Sequence, residues 1–122
     1  EGPTEPEIAR IGIETNAGEG QVTGQITNPT DEEVSRSVYA RIYSQAQEVS
    51  ALRDQSPEET LSQTYNGIPP GGTGGAILLP IPGVYTISSL SDNIEAALIM
   101  PSESPSESDY QWYGPDAETL NG

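Results

Sequence analysis

The sequence contains no cysteine, no histidine and no phenylalanine, and it has no lysine either. Without cysteine there is no disulfide framework and no thiolate zinc site. Without histidine the commonest general base and the commonest metal ligand are both missing. Ser-His-Asp and Cys-His catalytic arrangements cannot be built within this chain. Basic charge is scarce: Arg10, Arg36, Arg41 and Arg53 stand against 19 acidic residues, for a formal net charge of -15 over 122 residues. No basic patch can form from so few cations, which argues against nucleic-acid binding by phosphate neutralisation and against anionic membrane surfaces. No apolar run approaches the ~20 residues of a membrane helix; the longest, such as Ala76 to Leu79 and Ala96 to Met100, are short. Catalysis is the function class this composition supports least. No catalytic residue, metal or cofactor is expected.

What the chain does have is a dense carboxylate coat. At low ionic strength, like charges at this density repel and weaken the compact state. In molar salt the Debye length falls to roughly 3 Å and the repulsion is screened. The coat therefore predicts adaptation to high salt, with solvent cations as its immediate surroundings. The chain starts at Glu1 rather than Met, which fits either a trimmed sequence or removal of a secretory or lipoprotein leader.

The length suits one domain of ~100 residues with short tails. Residues 1–7 hold two prolines and three glutamates and read as an N-terminal tether. Period-two patterns follow. Ala9, Ile11 and Ile13 share one parity, as do Val22, Gly24 and Ile26; Val34, Val38, Ala40 and Ile42 form a longer set, with Tyr39, Arg41 and Tyr43 opposite. Such alternation predicts half-buried strands. Asn28-Pro29-Thr30 opens a polar turn, with Asn favouring turn geometry and Pro fixing φ. Between Gln45 and Glu59, Ala46, Val49, Leu52 and Arg53 fall at near-helical spacing, which suggests a helical turn or two ended by Pro57, or an irregular crossing; a strand edge followed by a long acidic loop is the alternative.

Thr60 to Ser91 contains no charged residue. Strands are expected at Leu61 to Tyr65, Ala76 to Leu79, Val84 to Leu90 and Ile94 to Met100. Pro80 and Pro82 argue that the Ala76 strand ends early or lies at a sheet edge. About seven short strands with Gly/Pro punctuation predict an all-β antiparallel sandwich over residues 8–100. Residues 101–122 begin with Pro-Ser-Glu-Ser-Pro-Ser-Glu-Ser, which cannot bury enough apolar surface to order itself. Tyr110, Trp112 and Tyr113 follow at once. This segment is expected to be an extended C-terminal arm whose three aromatics anchor it, on the domain's own surface or on a neighbouring molecule.

Other candidate sites weaken on inspection. Asp31-Glu32-Glu33 lacks the Asp-x-Asp-x-Asp spacing of a calcium loop. Asp54 with Glu58-Glu59 reads as solvent charge rather than an acid/base pair. Gly71-Gly72-Thr73-Gly74-Gly75 lacks the lysine and the helix of a phosphate loop. Tyr39 and Tyr43, with Arg41 between them, form either an exposed interface stripe or large apolar bodies for a core that has no phenylalanine.

The run Val22-Thr23-Gly24-Gln25-Ile26-Thr27-Asn28 resembles the opening strand of FxLYD-type immunoglobulin-like domains, V-x-G-x-V-x-N. That family's naming motif falls on Ala40-Arg41-Ile42-Tyr43-Ser44, with Ala40 in place of Phe and Ser44 in place of Asp. Ile68-Pro69-Pro70-Gly71-Gly72 is similar to its I-P-P-G-E crossing. The resemblance covers residues 20–83 and implies an immunoglobulin-like sandwich in a secreted or lipid-anchored prokaryotic protein, here of a halophilic, haloarchaeal-like kind, with no catalytic residues to carry over. The expected function is a structural or interaction subunit of an extracellular assembly (a cell-surface layer, a filament or a virion). Its expected partners are copies of itself or neighbouring subunits, with Tyr110, Trp112, Tyr113, Tyr39 and Tyr43 as the interface. A tethered module that binds a peptide, glycan or partner protein is the alternative.

Overall fold

A computed structural model describes residues 5–16, 18–46, 48–114 and 119–120 of the chain. These form two antiparallel sheets. The first has the order β1 (Glu7–Asn16), β2 (Glu19–Asn28), β5 (Gly72–Pro80). The second has the order β4 (Glu59–Ile68), β3 (Val34–Ile42), β6 (Ile94–Ile99), β7 (Gln111–Tyr113), β8 (Thr119–Leu120). The chain changes sheet between β2 and β3, between β4 and β5, and between β5 and β6. This is an all-β antiparallel sandwich in which the fourth strand lies beside the third.

One core joins the two sheets. Val22, Ile26, Ile77 and Leu79 from the first meet Val38, Ala40, Ile42, Ile94 and Ala96 from the second, all buried. The alternation in β2 and β3 places these side chains on one face each, because successive residues of a strand point to opposite sides. Each fully buried isoleucine or valine stabilises the fold by about 1.5–3 kcal/mol.

β1 departs from the simple alternation. The buried residues are Ile8 and Ile11, three apart, and Ala9 does not share the core face. A bulge between Ala9 and Gly12 sets Arg10 and Ile11 against Gly24 alone. Arg10 sits in the left-handed region with φ 57°, which turns the strand and shifts its parity. The position opposite leaves little room for a side chain. A Cβ at Gly24 would lie 3.2 Å from the Ile11 Cα and 3.3 Å from the Ala9 carbonyl oxygen.

Asn28 ties two turns together from a fully buried position. Its Nδ2 donates to the carbonyls of Glu32 at 2.9 Å, Ile68 at 3.1 Å and Pro69 at 3.2 Å. Its Oδ1 accepts from the Thr30 N–H at 3.1 Å and from the Thr30 hydroxyl. The β2–β3 turn is thereby fastened to the end of β4.

Two expectations need correction. Val84 to Leu90 is not a strand: Ile87–Ser89 is a single 3-10 turn. Ser89 Oγ donates to the Thr86 carbonyl at 2.7 Å and accepts from its N–H at 3.3 Å, and such local bonds compete with a sheet ladder. Nor does the sandwich stop at residue 100 with an extended arm beyond it. Residues 107–109 form a 3-10 turn, and Gln111–Tyr113 is β7, paired with Ile94, Glu95 and Ala96 of β6. The expected helical turn is present as α1 (Val49–Leu52), with Val49 and Leu52 buried.

Candidate interaction surface

Tyr39, Arg41 and Tyr43 point away from the main core, as their parity requires. They do not form one exposed stripe. Tyr43 is buried in a second apolar cluster with Val49, Leu52 and Trp112. α1 covers this cluster on the outer face of the second sheet. The Tyr43 and Trp112 rings pack with centroids 5.1 Å apart and planes tilted by 37°. Tyr39 is half-buried, opposite Ser62 of β4 and Ala97 of β6.

Arg41 organises the rest of that face. Its guanidinium lies 3.5 Å from the centroid of the Tyr110 ring. Its Nη2 donates to Glu107 at 2.9 Å, and its Nε lies 3.5 Å from Glu95. The Tyr43 hydroxyl also donates to Glu95. Partial burial alone pulls the Arg41 pKa down, but the Glu107 and Glu95 carboxylates outweigh it and leave it above the ordinary arginine value. Burial raises the Tyr43 pKa, and its hydrogen bond to the Glu95 carboxylate raises it further. Burial also raises Tyr110, opposed by the Arg41 charge beside it.

These groups line a hollow of about 380 Å³, closed on its other side by Arg53, Gln55 and Pro57. It is chiefly a clasp. Arg41 is neutralised by two carboxylates, and Trp112 is only 5 % exposed. The expectation that the three aromatics anchor on a neighbour is corrected accordingly. Tyr110 stacks on Arg41, Trp112 closes the second cluster, and Tyr113 packs against the main core. The domain's own sheet is what they dock on. The Arg41–Glu95–Glu107 clasp was not foreseen from sequence. Its one local signal is Glu95, a charge inside the apolar run Ile94 to Ile99.

Among the described residues no group of three or more acidic side chains lies together to hold a metal ion. No helix of the described residues is long and apolar enough to cross a membrane.

The surface that stands out is the flank where β4 and β5 end their sheets. Thr60, Ser62, Gln63, Thr64, Asn66, Ala76 and Leu78 are exposed there. None of them is charged. The Tyr65 side chain reaches from β4 to the other sheet, where its hydroxyl accepts the Leu78 N–H at 3.2 Å.

No protein-family model, no curated protein and no solved structure matches this chain.

Proposed function

We propose that this chain is a non-catalytic structural subunit of an extracellular assembly in high salt, such as a cell-surface layer, a filament or a virion. The observation that carries the reading is the neutral β4–β5 flank on a protein of net charge -15. Acidic surfaces repel one another, so a body of this kind makes close contact through the surface that has no charge. The flank is made of rigid strands, and most of its exposed side chains are short hydroxyls and amides that lose little entropy on contact. The resemblance to FxLYD-type domains supports the extracellular placement.

Sedimentation equilibrium in molar sodium chloride tests this. Association in molar salt that weakens as salt is withdrawn is the expected result. A strict monomer at every loading sinks the structural-subunit reading.

A second reading, a tethered accessory module, draws on the hollow beside Arg53. Arg53 makes no ion pair among the described residues and borders a polar, aromatic-lined concavity. A carboxylate-bearing peptide or glycan suits that chemistry, and calorimetry with such ligands in molar salt separates the two readings.

A further inference from the structure

Sheet edges present unpaired N–H and C=O groups that template pairing with another chain, and proteins usually blunt them with charge, proline or bulges. Three of the four edges here are blunted or short. β1 carries Glu7, Arg10 and Glu14 and a bulge. β5 ends in Pro80 and has its Leu78 N–H bonded to Tyr65. β8 is two residues long.

β4 differs. It is the terminal strand of its sheet, it contains no proline, and it is regular from Glu59 to Tyr65. Its irregularity falls beyond Tyr65, at Asn66 and Gly67. Its one charge, Glu59, is at the end of the strand, where the Tyr85 hydroxyl donates to it at 3.1 Å.

We infer that β4 pairs antiparallel with β4 of a second copy about a twofold axis centred on Gln63, joining two five-stranded sheets into one. This rests on the assembly reading above and names its contact. The sequence of β4 is self-complementary in that register. Ser62 meets Thr64 of the copy on either side of the axis, so the regular part of the outer face pairs hydroxyl with hydroxyl, and Thr60 reaches the irregular end at Asn66. On the other face Leu61 meets Tyr65, an apolar–aromatic pair of the kind that stabilises cross-strand contacts. Glu59 meets the irregular end at Gly67, where the Glu33 carboxylate lies within about 4 Å of the glycine's Cβ position, an approach of like charges that molar salt screens. A parallel arrangement in register sets Glu59 against Glu59, a like-charge contact that a chain this acidic disfavours. An isologous contact also closes on itself, as twofold interfaces do.

The chain has no cysteine, so single thiols report the contact directly. In this register the Cα atoms of Gln63 and its copy are about 4.5–5.5 Å apart, within the disulfide range of about 4.4–6.8 Å. The two Thr60 positions are six residues apart along the paired strands, about 20 Å. The experiment oxidises Gln63→Cys and Thr60→Cys variants of the full chain in molar sodium chloride. Sedimentation of the unmodified chain and of Ser62→Glu runs beside it. Expected are a covalent dimer from Gln63→Cys, little from Thr60→Cys, and association about tenfold weaker in Ser62→Glu. If the unmodified chain associates but Gln63→Cys does not link, the β4 pairing is wrong and the assembly reading stands. Equal linking of both variants overturns the antiparallel register. A monomeric unmodified chain overturns both the pairing and the reading it rests on.

Discussion

The Arg41 guanidinium lies 3.5 Å from the centre of the Tyr110 ring. That contact joins the C-terminal end of β3 to a segment with no means of ordering itself. Cation–π attraction at a partly desolvated site contributes about 1–2 kcal/mol. Glu95, beneath, is 11 % exposed at its side chain and faces both Arg41 and Tyr43. The Pro/Ser/Glu stretch from Pro101 is thus held at its far end, by Arg41, Glu107 and the pairing of β7 with β6.

Arg41→Ala is expected to destabilise the domain by about 3 kcal/mol, because it leaves the Glu95 carboxylate without its cation. Glu107→Gln is expected to cost under about 1 kcal/mol, since Glu107 is 86 % exposed and its ion pair is screened. Denaturant melts in molar salt measure both. Equal losses would show that Glu95 is not the partner that matters.

Asn28→Ala and Asn28→Asp are each expected to cost about 2–3 kcal/mol. Both remove a donor that three carbonyls share and leave those groups unsatisfied beside the core. Asn28→Asp is the sharper test, because it keeps the shape and the acceptor for Thr30 while losing the donor. A denaturation midpoint unchanged in Asn28→Asp would show that the turns hold without the Nδ2 bonds.

The parts of the fold legible in the sequence are those whose pairing keeps strict alternation. Val22 and Ile26, or Val38, Ala40 and Ile42, announce their faces because nothing interrupts the pleat. Ala9 falls off the core face of β1 because the bulge at Arg10 inverts the parity, and a period-two pattern carries no mark of that. Val84 to Leu90 alternates well enough for a strand, yet Thr86 and Ser89 satisfy each other locally. β7 is three residues long, too short for any periodic signal. Its position follows from Glu95, Ala96 and Arg41, all far away in sequence. The Tyr39–Arg41–Tyr43 face was legible as a face, but its division into a clasp and a cluster depends on α1 and Trp112 folding over it. The neutral stretch from Thr60 was plain in the sequence; that it ends one sheet and begins another's edge was not.

Alkaline pH is expected to unfold the domain earlier than an ordinary sandwich. Burial raises the pKa of Tyr43, Tyr65, Tyr110 and Tyr113 in the folded state. In the unfolded chain tyrosine titrates near ~10. Above that pH the unfolded state releases protons that the folded state retains, so stability is complete below ~10 and falls as pH rises toward the folded values. Tyr43→Phe removes one such proton and is expected to flatten the fall. The check is the melting temperature at a series of pH values from neutral to strongly alkaline, in molar salt. A slope identical in the two proteins would mean that Tyr43 titrates as it does in the unfolded chain.

Salt dependence tests the charge argument most broadly. At ~10 mM salt the Debye length is roughly 30 Å, about the size of the whole domain, so every carboxylate feels the others; in molar salt it is roughly 3 Å. Attraction pulls the other way. The Arg41 pairs with Glu95 and Glu107 weaken as salt rises, which alone would lower stability. Those pairs involve two of 19 acidic residues. The rest of the excess negative charge is repulsive. The repulsive term is therefore expected to win, and the melting temperature to rise steadily from ~10 mM to molar sodium chloride. Arg41→Ala supplies the internal check: it removes both ion pairs found among the described residues, so its melting temperature is expected to rise more steeply with salt than that of the unmodified chain. A melting temperature that stays flat across the range in the unmodified chain would show that the carboxylates lie too far apart to repel, and the high-salt reading would fall with it.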